Sequence, residues 1–474
     1  MSARPPPKST RYREIYERVR NSITAGRLRP GDRLPSARAL ADELNVARGT
    51  VDTAYALLVG EGFLISHSRT GTVVAPAIPT LSAATQPAAD SQAAPGPPDA
   101  AFDDITAVLG TIRPLMPGLP SFDLFPRKLW SYLVGRQVRR LDIAGLTYPD
   151  AIGDRDLREA LAAYLGVARG VRCEADQIVI TGGYQAAAGL IAGLVLRPGD
   201  RVWTESPGYR LTRLAAASSG GEVIRIPVDR DGLNVEIGRA LAPDARLCMV
   251  CPSNEFPLGV SLSLPRRLAL LEWAERNAAW IVEDDYGGEF RYDGFPLPAL
   301  KSLDRGDRVF YVGTFSKTMF PGLRLGYVVA PAAQLQALKS AARSLDGGRP
   351  GLEQRVMAEF LAQGHFGRHI KRMRSAYQAR RSALVAALTA NFGSRFVIQP
   401  EAGGLSLLLT PSGAEDVQRL EAAARARDMR PLAVPVDDRS PDRLGGLLLG
   451  FANTPESQAA SVVERLAAAF AELG

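Results

Sequence analysis

The sequence predicts two unlike domains, a small helical module with a β-hairpin and a large α/β domain that ends in a smaller α+β part. Residues 1–75 carry 12 Lys and Arg against 7 Asp and Glu, so +5 of the net charge of +7 lies there. Residues 76–100 include 14 Ala and Pro and no Lys, Arg or aromatic residue, a composition that does not fold alone. Beyond them, short β-branched runs alternate with helix-period segments, which is typical of α/β proteins.

These observations predict a domain at 1–75, a linker at 76–112 and a second domain at 113–474, with its large part at 113–345 and its small part at 346–474. At 474 residues and a mean hydropathy of −0.04, the chain is long enough for several buried cores. It contains no apolar run of the roughly 18 residues that a membrane span needs, and its start lacks a signal-peptide core. We therefore expect a cytoplasmic protein with no membrane partner.

The cysteines and histidines predict no metal site. The three cysteines of the chain suit a reducing compartment. Cys248 and Cys251 have CxxC spacing, but they end an apolar run and no second Cys/His pair accompanies them, so core cysteines are favoured over zinc ligands. His365 and His369 lie four residues apart without an acidic residue between them, and a solvated helix face is the favoured interpretation.

The small module predicts three helices. In "YREIYERVRNSITAG", apolar residues recur on one helical face and Gly26 is a plausible stop. In "LPSARALADELNV", Ser36 is a candidate N-cap. The third helix, "ARGTVDTAYALLVGEGF", has an apolar face and opens with Arg48-Gly49-Thr50. The inward residues predicted for the three helices are Ile15, Val19, Ile23, Leu40, Leu44, Val51, Ala54, Tyr55 and Leu58.

Two helices joined by a tight turn, followed by the hairpin "FLISHSRTGTVV", suit a helix-turn-helix with a wing. In such a unit the first turn of the second helix enters the major groove of DNA. The basic charge agrees with a polyanionic partner. The alternative is a helical module that binds another protein.

In the large domain, six apolar runs end in small or polar residues and predict buried strands of a largely parallel sheet. They are "QIVITGG", "DRVWTESPGY", "GEVIRIPV", "RLCMVCPSN", "AWIVEDDYG" and "RVFYVGTFSK". Ligands of such sheets lie at the carboxyl ends of the strands. The polar clusters therefore mark the expected site.

A single lysine among these clusters, Lys317, would by itself be assigned to solvent. However, "AWIVEDDYG" puts Asp284 at the end of an apolar strand, where a charge is costly unless it has a partner such as a pyridinium nitrogen. "TGGYQAAAGL" is a Gly-rich turn that opens a helix and suits a phosphate. Further phosphate donors and a ring that could stack are Thr314, Ser316, Arg324 and Tyr209. Together these features describe a site for pyridoxal 5′-phosphate (PLP).

Residues 27–74, "RLRPGDRLPSARALADELNVARGTVDTAYALLVGEGFLISHSRTGTVV", resemble the winged helix of GntR-type bacterial regulators. Residues from about 115 to 474 resemble fold-type I aminotransferases, and "PGLPSFDLFPRKLW", "LTYPDAIGDRDLREALAAYLGVARGV" and "EDDYGGEFRY" are similar to the MocR/GabR family of regulators. That family joins a GntR-type winged helix to an aminotransferase-like domain through a linker. The resemblance implies a PLP-dependent transferase-like fold and a head-to-tail homodimer.

The resemblance also implies residue roles. Lys317 would hold PLP as an imine, Asp284 would pair with the pyridine nitrogen, and Tyr286 would contact the phenolic oxygen. Tyr209 would stack on the ring, and Asn254 would be a weaker cofactor contact. The residues expected to hold the phosphate are Gly183, Tyr184, Gln185, Thr314, Ser316 and Arg324. Those expected to face double-stranded DNA are Ser36, Arg38, Arg48, Gly49, Thr50, Arg69, Thr70, Gly71 and Thr72.

The chain departs from the family where a substrate carboxylate would be held. Aminotransferases anchor that carboxylate with an arginine three residues before the Phe of a late strand, where "LGGLLLGFAN" has Leu448. GABA-sensing relatives have a second arginine shortly after the stacking Tyr. At that place this chain has Leu211, with Arg210 and Arg213 beside it in "GYRLTR". Arg210 and Arg213 are therefore the candidate effector contacts.

The favoured hypothesis is a transcriptional regulator that senses PLP, or an amine effector, at Lys317 and controls operator binding by the winged helix. One alternative is an active aminotransferase that carries a DNA-binding module. Another is a DNA-binding repressor with a vestigial pocket. Leu448 argues against efficient amino-acid turnover, while Lys317 and Asp284 argue against a vestigial pocket.

Overall fold

The computed structural model describes residues 11–67, 71–76, 112–292, 297–345, 347–399, 403–413, 415–435 and 444–473. The chain divides into two compact units, Met1–Pro98 and Asp99–Gly474. Most of the expected linker, 77–111, lies outside the described residues, as do the wing-tip residues Arg69 and Thr70. Among the described residues, no helix is long and apolar enough to cross a membrane.

The first unit is a three-helix module with a hairpin, as the sequence predicted. Its elements are α1 (Arg11–Thr24), α2 (Ala37–Leu44), α3 (Arg48–Gly60), β1 (Leu64–His67) and β2 (Gly71–Val74). The hydroxyl of Ser36 caps α2 by accepting a hydrogen bond from the backbone N–H of Ala39 at 3.2 Å, which satisfies one of the free amides of the first turn. Gly26 follows α1 with φ of +69°, a conformation that suits a glycine stop.

The core of this unit confirms most of the predicted inward residues. Seven of them are buried: Ile15, Val19, Ile23, Val51, Ala54, Tyr55 and Leu58. Leu40 and Leu44 are only partly buried and pack on the edge of the core. The strands β1 and β2 pair antiparallel, with Leu64 opposite Val74.

The second unit contains one large sheet and one small sheet. Its strands are β3 (Ile178–Thr181), β4 (Arg201–Ser206), β5 (Glu222–Asp229), β6 (Gly232–Leu233), β7 (Leu247–Val250), β8 (Trp280–Asp285), β9 (Val309–Thr314), β10 (Gly326–Val329), β11 (Phe396–Ile398), β12 (Ser406–Pro411), β13 (Leu432–Val434) and β14 (Gly446–Gly450). Its helices are α4 (Arg127–Arg139), α5 (Arg155–Ala168), α6 (Tyr184–Val195), α7 (Arg210–Ser218), α8 (Val235–Leu241), α9 (Leu264–Arg276), α10 (Leu335–Leu345), α11 (Gly351–Ala362), α12 (His365–Phe392), α13 (Val417–Ala426) and α14 (Glu456–Ala471).

The large sheet has the strand order β3-β10-β9-β8-β7-β4-β5-β6. The strands β9, β8, β7, β4 and β5 pair in parallel, whereas β10 is antiparallel to both of its neighbours. All six strand predictions are confirmed, and the sheet is largely parallel as expected. Because parallel strands are connected by crossovers, their carboxyl ends meet at one edge of the sheet.

Apolar side chains leave both faces of this sheet. On one face, Val282 of β8 packs in a cluster with residues of α6. On the other face, Ile281 packs in a cluster with Trp203 and Trp273, whose rings stack with centroids 3.9 Å apart. Helices therefore cover both faces, which is the layered α/β architecture that the sequence predicted.

The remaining part of the second unit is a four-stranded antiparallel sheet, in the order β11-β12-β14-β13, with α12, α13 and α14. This confirms a smaller α+β part after about residue 345. The expectation that His369 lies on a solvated helix face is wrong. The side chain of His369 is buried, and its Nε2 lies 2.9 Å from the carbonyl oxygen of Thr318, because α12 packs into the main core.

Two adjacent leucines of α3 test whether the first unit folds on its own core. Leu58 is fully buried, whereas Leu57 is 43% exposed. We expect Leu58→Ala to destabilise the first unit by about 2–5 kcal/mol, since it removes a buried side chain and leaves a cavity. Hydrogen exchange followed by mass spectrometry should show faster exchange in peptides from 11–76 and unchanged exchange in 112–473. Leu57→Ala is the matched control and should behave as wild type. Equal effects of both variants would contradict the packing described.

Candidate functional site

The side chains predicted for the site follow the carboxyl ends of neighbouring strands. The turns after β3, β4, β7, β8 and β9 lead to Gly183, Tyr209, Asn254, Tyr286 and Lys317, respectively. The alternation of strands and helices places these turns at one edge of the large sheet. Residues up to 134 positions apart in the sequence are thereby collected at one site.

Lys317 lies in the turn after β9 and is partly buried. Its Nζ donates a hydrogen bond to the carbonyl oxygen of Gly118. Burial lowers the pKa of Lys317 to about 8, although the negative charge of Asp284 acts in the opposite direction. An amine with such a pKa is partly neutral near physiological pH, and the neutral form is the nucleophile.

Asp284 is the fifth residue of β8 and is 5% exposed. Its Oδ2 accepts a long hydrogen bond from Cys251 Sγ at 3.7 Å, and its Oδ1 has no hydrogen-bond partner among the described residues. Burial, followed by the charges of Asp285 and Glu205, raises the pKa of Asp284 well above its ordinary value. A buried carboxylate oxygen without a partner is costly, so this position fits a ligand that presents a cationic N–H.

A second buried carboxyl lies behind Asp284. Glu205, at the end of β4, accepts the backbone N–H of Cys251 with both oxygens at 3.2 Å. Burial raises the pKa of Glu205 to about 8. Cys248 and Cys251 are both buried and free, which confirms that they are core cysteines.

The turn between β3 and α6 fits an anion. Gly183 is the N-cap residue of α6, with φ of +95° and no capping side chain, so the first amides of the helix point outward without an intrahelical partner. The guanidinium of Arg324 lies 3.8 Å from the position that a Cβ of Gly183 would take. Thr314 and Ser316 share a hydrogen bond of 3.0 Å between their hydroxyls. Gln185 is exposed.

Aromatic rings line the site. The ring centroid of Tyr209 lies 6.1 Å from that of Tyr184, and the ring packs edge-on against Phe256. Burial and the charge of Asp284 raise the pKa of Tyr209 to about 12. The hydroxyl of Tyr184 is bonded to Thr212 Oγ1 at 2.7 Å. The backbone N–H of Tyr184 is one of the first amides of α6, which have no intrahelical partner.

Asn254 and Tyr286 form a pair. Asn254 Nδ2 donates to the hydroxyl of Tyr286 at 2.6 Å. The same amide group also lies 3.0 Å from the position that a Cβ of Gly404 would take. Asn254 therefore connects the turn after β7 to the turn after β8 and to the small subdomain.

Sequence reasoning missed three residues of this region: Gly118, Glu205 and Arg169. Gly118 accepts the bond from Lys317 across 199 positions. Arg169 contacts Asp285 across 116 positions. No local pattern predicts such contacts, because they depend on how distant segments fold together.

On the first unit, the described residues expected to face DNA are exposed, except for Thr50 and Thr72, which are partly buried. Arg38, Gly49 and Arg48 are exposed, and Arg48 Nε lies 3.4 Å from Asp52 Oδ2. Ser36 uses its hydroxyl as a helix cap, and Thr50 is partly buried in the first turn of α3.

In the wing, Gly71 and Thr72 lie in β2. Arg33, which sequence reasoning missed, has its Nε 3.4 Å from the position of a Cβ at Gly71.

Comparisons with known proteins agree with both units. Residues 11–74 match the model of bacterial regulatory proteins of the gntR family, and residues 143–436 match that of aminotransferase class I and II. The chain is 34% identical over 476 residues to the probable rhizopine catabolism regulatory protein MocR of Rhizobium meliloti, covering 98% of this chain and 94% of that protein. This chain belongs to the MocR/GabR family of bacterial transcriptional regulators.

One further relative supports the MocR assignment, and one solved structure supports the fold of the second unit. The pyridoxine biosynthesis transcriptional regulator PdxR of Corynebacterium glutamicum is 31% identical, over 94% of this chain and 92% of that protein. Kynurenine aminotransferase of Pyrococcus horikoshii, solved in complex with PMP, has a TM-score of 0.70 and 28% identity, covering 80% of this chain and 95% of the other. The expected fold, a GntR-type winged helix joined to a fold-type I aminotransferase domain, is confirmed.

The structure shows where the residues that depart from the MocR/GabR pattern lie. Leu448 lies in β14 and is buried in an apolar cluster with Leu408 and Leu432. Arg210 and Arg213 lie in the first turn of α7, and Arg213 Nη1 donates to the carbonyl oxygen of Gly208 at 2.8 Å. In the described ranges, no cluster of three His, Cys, Asp or Glu side chains could hold a metal ion.

The lowered pKa of Lys317 is directly testable. We expect the rate of labelling of Lys317 by acetic anhydride, in cofactor-free protein, to rise with pH through a midpoint near 8, against about 10.4 for a solvated lysine. Asp284→Asn should lower this midpoint further, because the Asp284 charge raises the pKa of Lys317. Mass spectrometry of peptides measures both, with the exposed Lys371 as the internal reference. A wild-type midpoint near 10 would contradict the burial of the amine.

Proposed function

We propose that this protein is a PLP-dependent transcriptional regulator. Its aminotransferase-like unit would bind PLP and sense PLP itself or an amine, and its winged helix would bind an operator in double-stranded DNA. The observation that carries this proposal is the presence, in one MocR-type chain, of a winged helix and of a site with Lys317 and Asp284. A chain that used only the winged helix would have no need for a buried amine opposite an unpartnered buried carboxylate.

The residues of the site fit PLP at each of its chemical groups. Bound PLP supplies an aldehyde carbon that condenses with amines, and a pyridine ring that withdraws electrons. Lys317 would be the amine that holds it. Asp284 would accept a hydrogen bond from the protonated ring nitrogen through Oδ1, which supplies the missing partner of that buried oxygen.

The other groups of PLP would be held by the surrounding turns. Tyr286 and Asn254, which already share a hydrogen bond, would bind the phenolic oxygen. Tyr209 would stack on the ring. The phosphate would lie at the start of α6, against the backbone of Gly183, Tyr184 and Gln185 and the side chains of Thr314, Ser316 and Arg324. Two hydroxyls, a guanidinium and free helix amides suit a dianion.

Sensing would follow from the state of Lys317. An amine effector that took the place of Lys317 would leave the lysine amine free of the cofactor, where it could keep its hydrogen bond to the carbonyl oxygen of Gly118. The 113–120 segment, which contacts the small subdomain through the bridge of Leu115 to Gly450, would respond to that change. A coupling free energy of about 1–3 kcal/mol is typical of such linkage.

The same proposal extends to the domain boundaries and the DNA contacts. We place the DNA-binding domain at 1–75, the linker at 76–112 and the aminotransferase-like domain at 113–474. Arg38 and Arg48 would make base or phosphate contacts, because guanidinium groups suit both acceptors. The remaining proposed DNA contacts are Ser36, Gly49, Thr50, Arg69, Thr70, Gly71 and Thr72. The partner is genomic DNA, so the proposed location is cytoplasmic.

A homodimer is also part of the proposal. Between α4 and α5, Ile143, Leu146 and Tyr148 are 83%, 74% and 98% exposed, and Tyr132 and Val138 on α4 are also exposed. Several large apolar side chains exposed within one short part of the chain favour a protein interface there. A second copy, arranged head to tail, would cover it.

An active aminotransferase is the second candidate, favoured by the likeness to kynurenine aminotransferase. Against it stands Leu448, buried among apolar side chains where aminotransferases would hold the substrate carboxylate. Arg210 and Arg213 are the proposed contacts for an acidic effector instead. Regulation without physiological turnover is therefore the favoured function.

The first test separates the two units. Purified protein with PLP should show the visible absorbance of an imine. Borohydride should reduce that imine, which abolishes the visible band and leaves the cofactor covalently attached to Lys317. Lys317→Ala should show neither the band nor the attachment, because it lacks the amine. Operator affinity of this variant should stay within a few-fold of wild type in the absence of ligands. Absorbance spectra and gel-shift titrations measure the two properties.

Two variants serve as controls for that experiment. Lys371→Ala removes an exposed lysine of α12 and should change neither property. Arg48→Ala should keep the absorbance and weaken operator binding by about 1–3 kcal/mol if Arg48 contacts a base. A wild-type protein that stays colourless with PLP would overturn the sensor and favour a vestigial pocket.

The second test concerns the effector. A buried carboxylate without a cation is strongly disfavoured, so common α-amino acids with α-keto acids should support little or no transamination. PLP added to cofactor-free protein should shift operator affinity without any amine, or else an acidic amine should shift it in the PLP-loaded protein. Keto-acid production and operator affinity are measured on the same samples. Rapid transamination of an ordinary α-amino acid would make the enzyme the better function.

A further inference from the structure

Arg169 occupies a central position beneath the candidate site. It caps the end of α5, is 3% exposed, and uses its whole guanidinium group. Its Nε donates to Asp285 Oδ2 at 2.7 Å, and its Nη2 donates to Ser253 Oγ at 3.1 Å. Its Nη1 donates to the carbonyl oxygens of Gly288 and Leu297, both at 3.1 Å. One side chain therefore joins three separate chain segments.

Two of the residues that Arg169 contacts, Ser253 and Asp285, are next to candidate site residues in the sequence. Ser253 precedes Asn254, and Asp285 lies between Asp284 and Tyr286. These three neighbours are the residues at the ring end of the candidate site. Among the described residues, Arg169 makes no hydrogen bond to these three, so an effect on them would pass through the backbone of the residues that it does contact.

The space around the guanidinium is tightly fitted. A Cβ at Gly288 would lie 2.3 Å from Arg169 Nη2 and 2.3 Å from Asp285 Oδ1, so the turn after β8 approaches the ion pair as closely as a glycine allows. Tyr311 of β9 donates a further hydrogen bond to Asp285 Oδ2 at 2.7 Å. The side chains of Arg169 and Asp285 are each 2% exposed. Such a pair fixes geometry because both partners are costly to leave unpaired.

The ion pair also controls the charge next to Asp284. The negative charge of Asp285 is, after burial, the largest influence that raises the pKa of Asp284. Arg169 balances that charge at 2.7 Å. Without a guanidinium at this position, Asp284 would have an unbalanced carboxylate as its neighbour.

We propose that Arg169 is a positioning residue of the cofactor site, whose guanidinium holds Asn254, Asp284 and Tyr286 in register with the ring of PLP. The inference rests on the proposed function in one respect, which is that the site holds PLP. Arg169 would set how the ring end of PLP is held. The phosphate end would be independent of it, because the hydrogen bonds of Arg169 among the described residues go to Asp285, Ser253, Gly288 and Leu297, and none reaches α6 or Arg324.

The test compares Arg169→Lys with a matched variant of the same helix. Lysine keeps the charge but cannot donate in a planar fork to Asp285, Ser253 and two carbonyls at once. We expect Arg169→Lys to weaken PLP binding by about tenfold and to move the midpoint of the pH titration of the bound-PLP absorbance. Arg158→Lys replaces another buried arginine of α5, which bonds to Gly153, Ala175 and Asp176, and should leave both properties unchanged.

Two further measurements distinguish positioning from a general loss of stability. Inorganic phosphate, used as a competitor of PLP, should inhibit Arg169→Lys and wild type equally, because it engages only the phosphate end. Ser253→Ala removes one donor–acceptor pair from the network, and should move the pH midpoint in the same direction without lowering the unfolding temperature. This variant decides the matter if Arg169→Lys does not fold.

The outcomes separate this inference from the proposed function. A wild type that does not bind PLP overturns the proposed function and the inference with it. A wild type that binds PLP, with PLP affinity and pH midpoint unchanged in Arg169→Lys, or in Ser253→Ala where the lysine variant does not fold, overturns the role of Arg169 alone. Equal weakening of PLP and inorganic phosphate would also overturn it, because the effect would then be general.

Discussion

The buried charges at the end of β8 constrain much of the second unit. Three consecutive acidic residues, Glu283, Asp284 and Asp285, are all buried, and each requires a different partner. Glu283 accepts the backbone N–H groups of Leu300 and Lys301, and Asp285 pairs with Arg169. Asp284 keeps an oxygen without a partner. Because burying charge is costly, the neighbouring segments must be arranged around these three positions. Among the described residues, Asp285 also keeps one oxygen without a partner, but its other oxygen pairs with a buried guanidinium, whereas Asp284 accepts only the long bond from the Cys251 thiol. Asp284 is therefore the carboxylate best placed to receive a cationic ligand.

Close backbone approach shapes the other end of the site. A Cβ at Gly326 would lie 2.8 Å from Gly183 Cα and 2.9 Å from the carbonyl oxygen of Gly313. These three glycines let β10 lie between β3 and β9 while the turn before α6 stays open at its amides. Arg324, with φ of +51°, adds its guanidinium to this turn. The shape of the turn before α6, where a phosphate is proposed to bind, therefore depends more on backbone geometry than on side-chain chemistry.

The second unit shares its fold with a solved aminotransferase, and the proposed function places its departure from that enzyme where a substrate carboxylate would be held. Leu448 fills that region with apolar contacts, while the groups that suit PLP are retained. The elements for holding a cofactor and for selecting a substrate are physically separate, the former at strand ends of the large sheet and the latter reaching into the small subdomain. One can therefore change while the other persists, as the proposed sensor requires.

The sequence by itself determined the two-unit layout, the six strands and the cap at Ser36, because these follow from local periodicity and from motifs within a few residues. It also predicted Lys317 and Asp284 as site residues, which remains a prediction. The burial of His369, the bond of Lys317 to Gly118 and the network of Arg169 were decided only by the tertiary structure. Each depends on segments more than 50 positions apart, and hydrophobic patterning along the chain carries no information about which distant backbone a polar side chain will meet.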